Sequence, residues 1–256
     1  MPSAREPRVS FGCREVPPDV KKRLVHDLFG PLAARYDLAD TVLSAGLDAR
    51  WRRKAVRLMG LGPGRRVLDV CGGTAGLALL AARDVSPGGR VFVYDFNLAM
   101  MAVGRKRARR LAPPESIAFI RGDAEDLGVS PGSFDAAMIG FGLRNLARPE
   151  RGLAGIRRAL KPGGTLMILE FSLPAHALVR RLYHFYSFRA MPLLAGLLGG
   201  SPASFRYLAE SIRLFPGPED VRTMIREAGF ADVRYRRLAD GIVVVYTGRK
   251  FETEDS

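Results

Sequence analysis

Three acids and one glycine-rich turn stand out in this chain because each lies in or just after a short apolar run. Asp69 sits inside the run Arg66 to Val70, which leads into Cys71-Gly72-Gly73-Thr74. Asp95 closes the run Arg90 to Tyr94, Asp123-Ala124 follows Ile117 to Ile120, and Phe134 to Ile139 opens into Gly140-Phe141-Gly142-Leu143-Arg144-Asn145. Glycines let backbone approach a ligand with no Cβ in the way, and the helical stretch from Leu77 offers unpaired N–H groups at its start. An acid about 20 residues past such a turn can accept hydrogen bonds from both hydroxyls of a ribose. Asp95 has that spacing, although it could instead cap the helix behind Asn97. Asp123 beside Ala124 suits an exocyclic amine together with a backbone N–H contact, or is an ordinary loop acid. The chemistry these residues point to is the holding of a nucleotide-like ligand at the carboxyl ends of strands. The turn is not G-x-G-x-x-G, which argues against a nicotinamide dinucleotide.

The elements that would position these residues follow from the hydrophobic pattern. Short apolar runs alternate with helical stretches from Arg66 to Phe171, the pattern of a parallel sheet. Two last runs, Ala231 to Leu238 and Ile242 to Gly248, are joined by Asp240-Gly241, a hairpin signal. The expectation is an α/β, doubly wound, seven-stranded sheet, mostly parallel, with an antiparallel C-terminal hairpin. Residues 1–18 read as a flexible arm. Residues 19–60 read as an N-terminal helical subdomain that serves either as a lid over the site or as a plain extension. Residues 61–256 read as the main domain, with a helical insertion at about 177–215 rich in aromatics and arginine.

The 256 residues carry 40 lysines and arginines against 26 acids, a formal charge of +14. An anionic partner is one explanation for that charge, and solvated helix faces are the other. Two cysteines rule out a disulfide scaffold and suit a reducing cytoplasm. The polar, proline-containing start is not of the secretory kind. No apolar run approaches the roughly 20 residues of a membrane span. The scattered His26, His176 and His184 form no metal-binding pattern, so no metal is expected.

The ordered set Val67-Leu68-Asp69, Gly72-Gly73-Thr74, Asp95, Asp123-Ala124, Phe141 to Asn145, Leu160 to Gly164 and Glu170-Phe171-Ser172 resembles the class I S-adenosylmethionine methyltransferases. Phe141-Gly142-Leu143-Arg144-Asn145, Tyr186-Ser187-Phe188, Tyr207 to Ile212 and Glu227 to Phe230 are similar in particular to the C-methyltransferases of menaquinone and ubiquinone biosynthesis. The similarity runs from about Val25 to Phe251. It implies a Rossmann-like sheet and S-adenosyl-L-methionine as cofactor. The implied cofactor-binding residues are Asp69, Gly72, Gly73, Thr74, Asp95, Asp123, Ala124 and Gly140. Arg144 and Asn145, with Tyr36 nearby, are the implied catalytic residues. The implied substrate is a prenylated quinol, demethylmenaquinol first and the ubiquinone precursor second.

Ala75 replaces the second glycine of the family's turn, and Gly140 replaces its usual serine. The family's Met-Asn-Asp after the Tyr36-Asp37 pair and its histidine before the Arg/Trp pair are also missing, and Tyr246 stands where a histidine is common. A ring carbon attacks the cofactor's methyl once the neighbouring hydroxyl is ionised, so the site needs a base or a cation that stabilises phenolate. An arginine keeps its proton in proteins, which makes stabilisation the easier role for Arg144. The aromatic and basic insertion reads either as plain core packing or as an apolar pocket for a prenyl tail whose mouth rests on an anionic membrane surface, with the enzyme cytoplasmic or peripheral at the inner face of the cell membrane. A homodimer stays open. Nucleic acid is disfavoured as a partner because no base-modification motif or appended RNA-binding module is present. A catalytically inactive scaffold, prompted by Ala75 and Gly140, is the non-enzymatic alternative.

Overall fold

A computed structural model describes residues 8–36, 38, 41, 44, 46–190 and 202–251. Its centre is a seven-stranded sheet. The strands are β3 (Arg66–Val70), β4 (Arg90–Asp95), β5 (Ile117–Arg121), β6 (Phe134–Gly140), β7 (Leu160–Phe171), β8 (Phe230–Leu238) and β9 (Val243–Lys250). They lie in the order β5-β4-β3-β6-β7-β9-β8. The first five pair in parallel, and β9 runs antiparallel to both β7 and β8. This is the anticipated sheet, with the last hairpin placing β9 inside and β8 at the edge. β7 begins earlier than the apolar run suggests, because Leu160 already pairs with Phe134 before an irregularity around Lys161 to Gly164.

Central strands are apolar on both sides because both faces are covered, as parallel sheets require. Leu68 and Val70 point to one face, under Leu153 and Ile156 of α5 (Pro149–Ala159) and Val221 and Ile225 of α8 (Pro218–Glu227). Val67, Val91 and Val93 point to the other, under α2 (Asp48–Leu58) and α3 (Ala78–Val85). The reversal of strand order between β4-β3 and β6 leaves a crevice at the carboxyl ends of those strands, where ligands sit in doubly wound folds.

The stretch 19–60 divides between two tasks. α1 (Pro18–Phe29) lies across that crevice, whereas α2 buries Trp51, Ala55 and Val56 in the sheet's own core. Parts of the segment between them, including Asp37, lie outside the described residues. The arm expected over residues 1–18 is different in its second half. Val9–Phe11 (β1) and Arg14–Val16 (β2) form an antiparallel hairpin. Phe11 gives the hairpin an apolar anchor, 5% exposed, that polar composition alone did not suggest. The insertion contains α6 (Ala177–Phe185), a π turn at Tyr186–Ala190 and α7 (Pro202–Leu214); residues 191–201 lie outside the described residues.

Candidate active site

The crevice holds a cavity of about 890 Å³, open solvent at its mouth included. That is within the range of about 300–1,000 Å³ typical of small-molecule sites. Its floor is built by turns in which non-glycine residues take left-handed backbone. Cys71 (φ 56°), Ala75 (φ 65°) and Phe141 (φ 57°) lie just past β3 and β6. Strain of this kind gathers where surrounding structure over-determines a functional turn. Gly104 of α4 (Leu98–Leu111) completes the floor. A Cβ there would stand 2.9 Å from the Gly73 carbonyl oxygen, so only glycine lets the helix seat against the turn.

Asp95 joins the turn to the next element. Its Oδ2 accepts the Gly73 N–H at 2.8 Å and its Oδ1 accepts the Asn97 N–H at 2.7 Å. Helix capping falls to Asn97, whose side chain accepts from Ala99 and Met100. Burial pushes the Asp95 carboxyl up, against the pull of those N–H groups. Asp123 lies across the cavity. Its Oδ1 accepts the Glu125 N–H at 2.9 Å, and its Oδ2 pairs with Lys22 Nζ at 2.7 Å. Burial alone would raise the Asp123 carboxyl, but Lys22 and that N–H hold it below the usual range. Lys22 also reaches Glu125, 3.2 Å away, and Arg148 Nε donates to Glu125 at 3.0 Å.

Asp69 is 1% exposed beneath the turn, and neither carboxyl oxygen has a hydrogen-bond partner. Burial pushes its pKa up to about 8, against the pull of the Arg52 guanidinium. The Ala78 N–H approaches without meeting hydrogen-bond geometry. Asp69 therefore lies beneath the glycine turn and does not face a ligand, whereas Asp95 and Asp123, which line the cavity, fit the ribose and base of a nucleoside-bearing cofactor.

The segment after β6 is held from several sides. Arg144, 5% exposed, donates from Nη1 to Phe141 O at 2.6 Å and to Glu170 Oε1 at 2.7 Å, while its backbone N–H donates to Glu170 Oε2 at 3.2 Å. Its Nε–H has no partner. Burial would lower the Arg144 pKa, but the Glu170 carboxylate outweighs it and raises it. Lys21 Nζ donates to the carbonyls of Leu146 (2.8 Å) and Arg144 (3.2 Å) from α1.

Of the residues singled out by sequence, Gly73, Asp95, Asp123, Ala124, Gly140, Asn145 and Tyr36 line the cavity together. Asp69, Gly72, Thr74 and Arg144 stand behind its wall. Thr74 faces α4, where Arg107 Nη1 donates to its carbonyl at 3.0 Å and its hydroxyl at 3.2 Å. A Cβ on Gly140 would lie 2.5 Å from Leu77 Cδ1, so a leucine methyl occupies the space a serine would need. Ala75 is fully buried in the apolar core and does not line the cavity. Lys22, His26 and Phe29 of α1 were not legible in the sequence; only the helix's spacing of apolar residues hinted at a covering element. Phe96, next to Asp95, was adjacent to a recognised position and equally unmarked.

The sheet order, the glycine turn and the acids at successive strand ends define an S-adenosylmethionine-dependent methyltransferase. Solved structures with this fold include a SAM-dependent methyltransferase from Aquifex aeolicus (TM-score 0.56, 16% identity, covering 77% of this chain and 88% of that one). The [4+2]-cyclase SpnF shares it as well (TM-score 0.65, 17% identity, 90% and 97%). Residues 18–250 match the model of the ubiE/COQ5 methyltransferase family, and the chain belongs to that family. It is 43% identical over 245 residues to the ubiquinone/menaquinone biosynthesis C-methyltransferase UbiE of Pseudomonas putida, covering 96% of each chain. Against the UbiE of Azotobacter vinelandii it is 42% identical over 249 residues, covering 97% and 98%. The chain is therefore an S-adenosylmethionine-dependent C-methyltransferase of the quinone pathway.

Proposed function

We propose that this enzyme methylates a ring carbon of a polyprenylated quinol, converting demethylmenaquinol to menaquinol. The observation that carries the reading is the continuity of one cavity from Gly73, Asp95 and Asp123 to Asn145, Tyr36 and Phe29. The same cavity carries acids suited to a cofactor's ribose and base together with aromatic and amide groups suited to a hydroxylated ring. S-adenosylmethionine supplies an electrophilic methyl, so the chain's task is to hold a nucleophilic carbon in line with it. Asp95 and Asp123 are assigned to the ribose and adenine, and Gly73, Ala124 and Gly140 to close backbone contact. Asp69 with Gly72 and Thr74 supports the turn from beneath. Asn145 and Tyr36 face the ring oxygen. Arg144 stands behind the loop, fixed by Glu170 and by the Phe141 carbonyl, and its positive charge favours the phenolate from there without touching the substrate. Its proton stays on, so the ring hydroxyl gives its own proton to solvent.

A quinol with a prenyl tail lives in a bilayer, and α6 suits a peripheral contact with it. Leu178, Leu182 and Phe185 are 69%, 64% and 67% exposed and recur on one helix face, with Arg181 exposed beside them. Among the described residues no helix is long and apolar enough to cross a membrane. The headgroup is tested by lipid extraction from a deletion strain. Accumulated demethylmenaquinone, lighter by one methyl, supports this reading, and accumulation of the ubiquinone precursor alone replaces it. Vesicles of anionic and of zwitterionic lipid test the surface. Leu182→Glu/Phe185→Glu should abolish sedimentation with anionic vesicles, and wild-type protein that ignores them refutes the contact.

A further inference from the structure

Asn145 can face a ring oxygen only if its amide is held the right way round. Its Nδ2 lies 3.3 Å from Phe141 O, and its Oδ1 lies 3.1 Å from the Tyr207 hydroxyl. A backbone carbonyl only accepts, so the amide end beside it must be Nδ2. Oδ1 then accepts from Tyr207, and the second N–H of Nδ2 is left for the cavity that Asn145 lines. Were Asn145 to flip, its oxygen would oppose the Phe141 carbonyl oxygen. Tyr207 is 5% exposed on α7, and its ring stacks on Phe11 of β1 with centroids 4.5 Å apart and planes at 23°. One turn further along α7, Glu210 Oε2 accepts the Cys13 N–H at 3.0 Å, which fixes the hairpin to the same helix face. Burial pushes the Tyr207 hydroxyl up to about 12, so it remains a donor throughout the working pH range.

We propose that Tyr207 is a positioning residue that orients the Asn145 amide toward the substrate's ring oxygen, and that the β1–β2 hairpin, through Phe11, holds Tyr207 in place. This rests on the assignment of Asn145 to the ring oxygen. The hairpin is then part of the active-site support rather than a free arm, although it does not touch the cavity. Only a hydroxyl at 207 supplies the donor, whereas the bracing from position 11 requires only a ring.

The test uses the full chain with Tyr207→Phe, Phe11→Ala, Phe11→Tyr and Asn145→Ala. Turnover is measured on a short-tailed demethylmenaquinol analogue, S-adenosylmethionine affinity by calorimetry, and the Asn145 side-chain amide signals by ¹⁵N NMR. Those signals are identified by their loss in Asn145→Ala. Tyr207→Phe is expected to lower kcat about tenfold, the equivalent of losing the one hydrogen bond that a disordered Asn145 amide no longer makes to the ring oxygen. Cofactor affinity and melting temperature should hold near wild type, and the Asn145 amide pair should broaden. Phe11→Ala should reproduce the fall in kcat and the broadened amide pair with cofactor affinity kept, at a cost in melting temperature of its own from the lost buried ring, and Phe11→Tyr should keep kcat and the amide pair near wild type. Phe11→Ala added to Tyr207→Phe should cost little more than Tyr207→Phe alone. Wild-type kcat or an unchanged amide pair in Tyr207→Phe overturns the proposal. So does a parallel fall of cofactor affinity and melting temperature, which would make Tyr207 merely structural. Wild-type kcat in Asn145→Ala refutes instead the assignment of Asn145 on which it rests.

Discussion

Ala75 poses a choice with measurable consequences, because the family's turn has glycine there. Its φ of 65° costs an L-residue about 1–2 kcal/mol relative to glycine. Substituting Ala75→Gly releases that strain. Against it stand the more flexible unfolded chain, worth about 0.4–1 kcal/mol, and a buried methyl, worth about 0.8 kcal/mol. A small residual void adds a few tenths more. These terms nearly cancel, so unfolding in urea should report a stability within about 1 kcal/mol of wild type. The cofactor result separates two accounts of the turn. The Ala75 methyl sits in the core beneath the turn, away from the cavity, so calorimetry should find S-adenosylmethionine affinity within about twofold of wild type. Affinity that tightens more than about tenfold, about 1.4 kcal/mol, would show that the methyl presses on bound cofactor and that the placement argued here is wrong.

Other substitutions test the remaining walls of the site. Glu170→Gln leaves the Arg144 guanidinium buried without its counter-charge and should cost about 3–5 kcal/mol in urea unfolding, with loss of turnover; a cost below 1 kcal/mol would mean that solvent reaches the pair. Gly140→Ser, the family's residue, should destabilise by about 1–3 kcal/mol because Leu77 Cδ1 occupies its space, and Leu77→Ala added to it should recover part of that loss. Burial lowers the Lys21 pKa from 10.5 to about 8, so between these values the unfolded chain holds more protons than the folded one. Stability should therefore rise with pH from 8 to 10.5, by up to about 1.4 kcal/mol per pH unit. In Lys21→Met that slope should be absent, as melting temperatures across this window will show.

The parallel sheet was legible because its strands are short apolar runs at helix-spaced intervals, and Asp95 and Asp123 because they end such runs. What could not be read was set by contacts remote in sequence. Lys22 meets Asp123 across 101 positions, and nothing in the pattern of α1 marks that lysine apart from its neighbour Lys21. Phe11 finds Tyr207 through the packing of a hairpin whose polar, proline-flanked sequence reads as an arm. Arg144 was recognised as important, but its partner Glu170 lies on a different strand, and only the packed structure shows the guanidinium turned toward it and away from the cavity. Sequence marks where backbone must bend or strands must end; it does not mark which long side chain crosses the gap.

The two halves of the cavity are held by different means. On the cofactor side the groups are fixed by local bonds, Asp95 to the Gly73 and Asn97 N–H groups and Asp123 to the Glu125 N–H, within a rigid sheet edge. On the other side, the loop Gly140 to Leu146 depends on Glu170 from β7, Lys21 from α1 and Tyr207 from α7. Two of those three supports come from elements outside the sheet. A change in the insertion therefore alters the substrate half while leaving the cofactor half intact, whereas α1 serves both halves, through Lys21 and through the Lys22–Asp123 pair. Three departures from the family are absorbed within the sheet core: Ala75 by core packing, Gly140 by Leu77, and Tyr246, 2% exposed, by the core around β9. Quinol specificity should accordingly travel with the insertion when it is exchanged between relatives, and cofactor affinity should not.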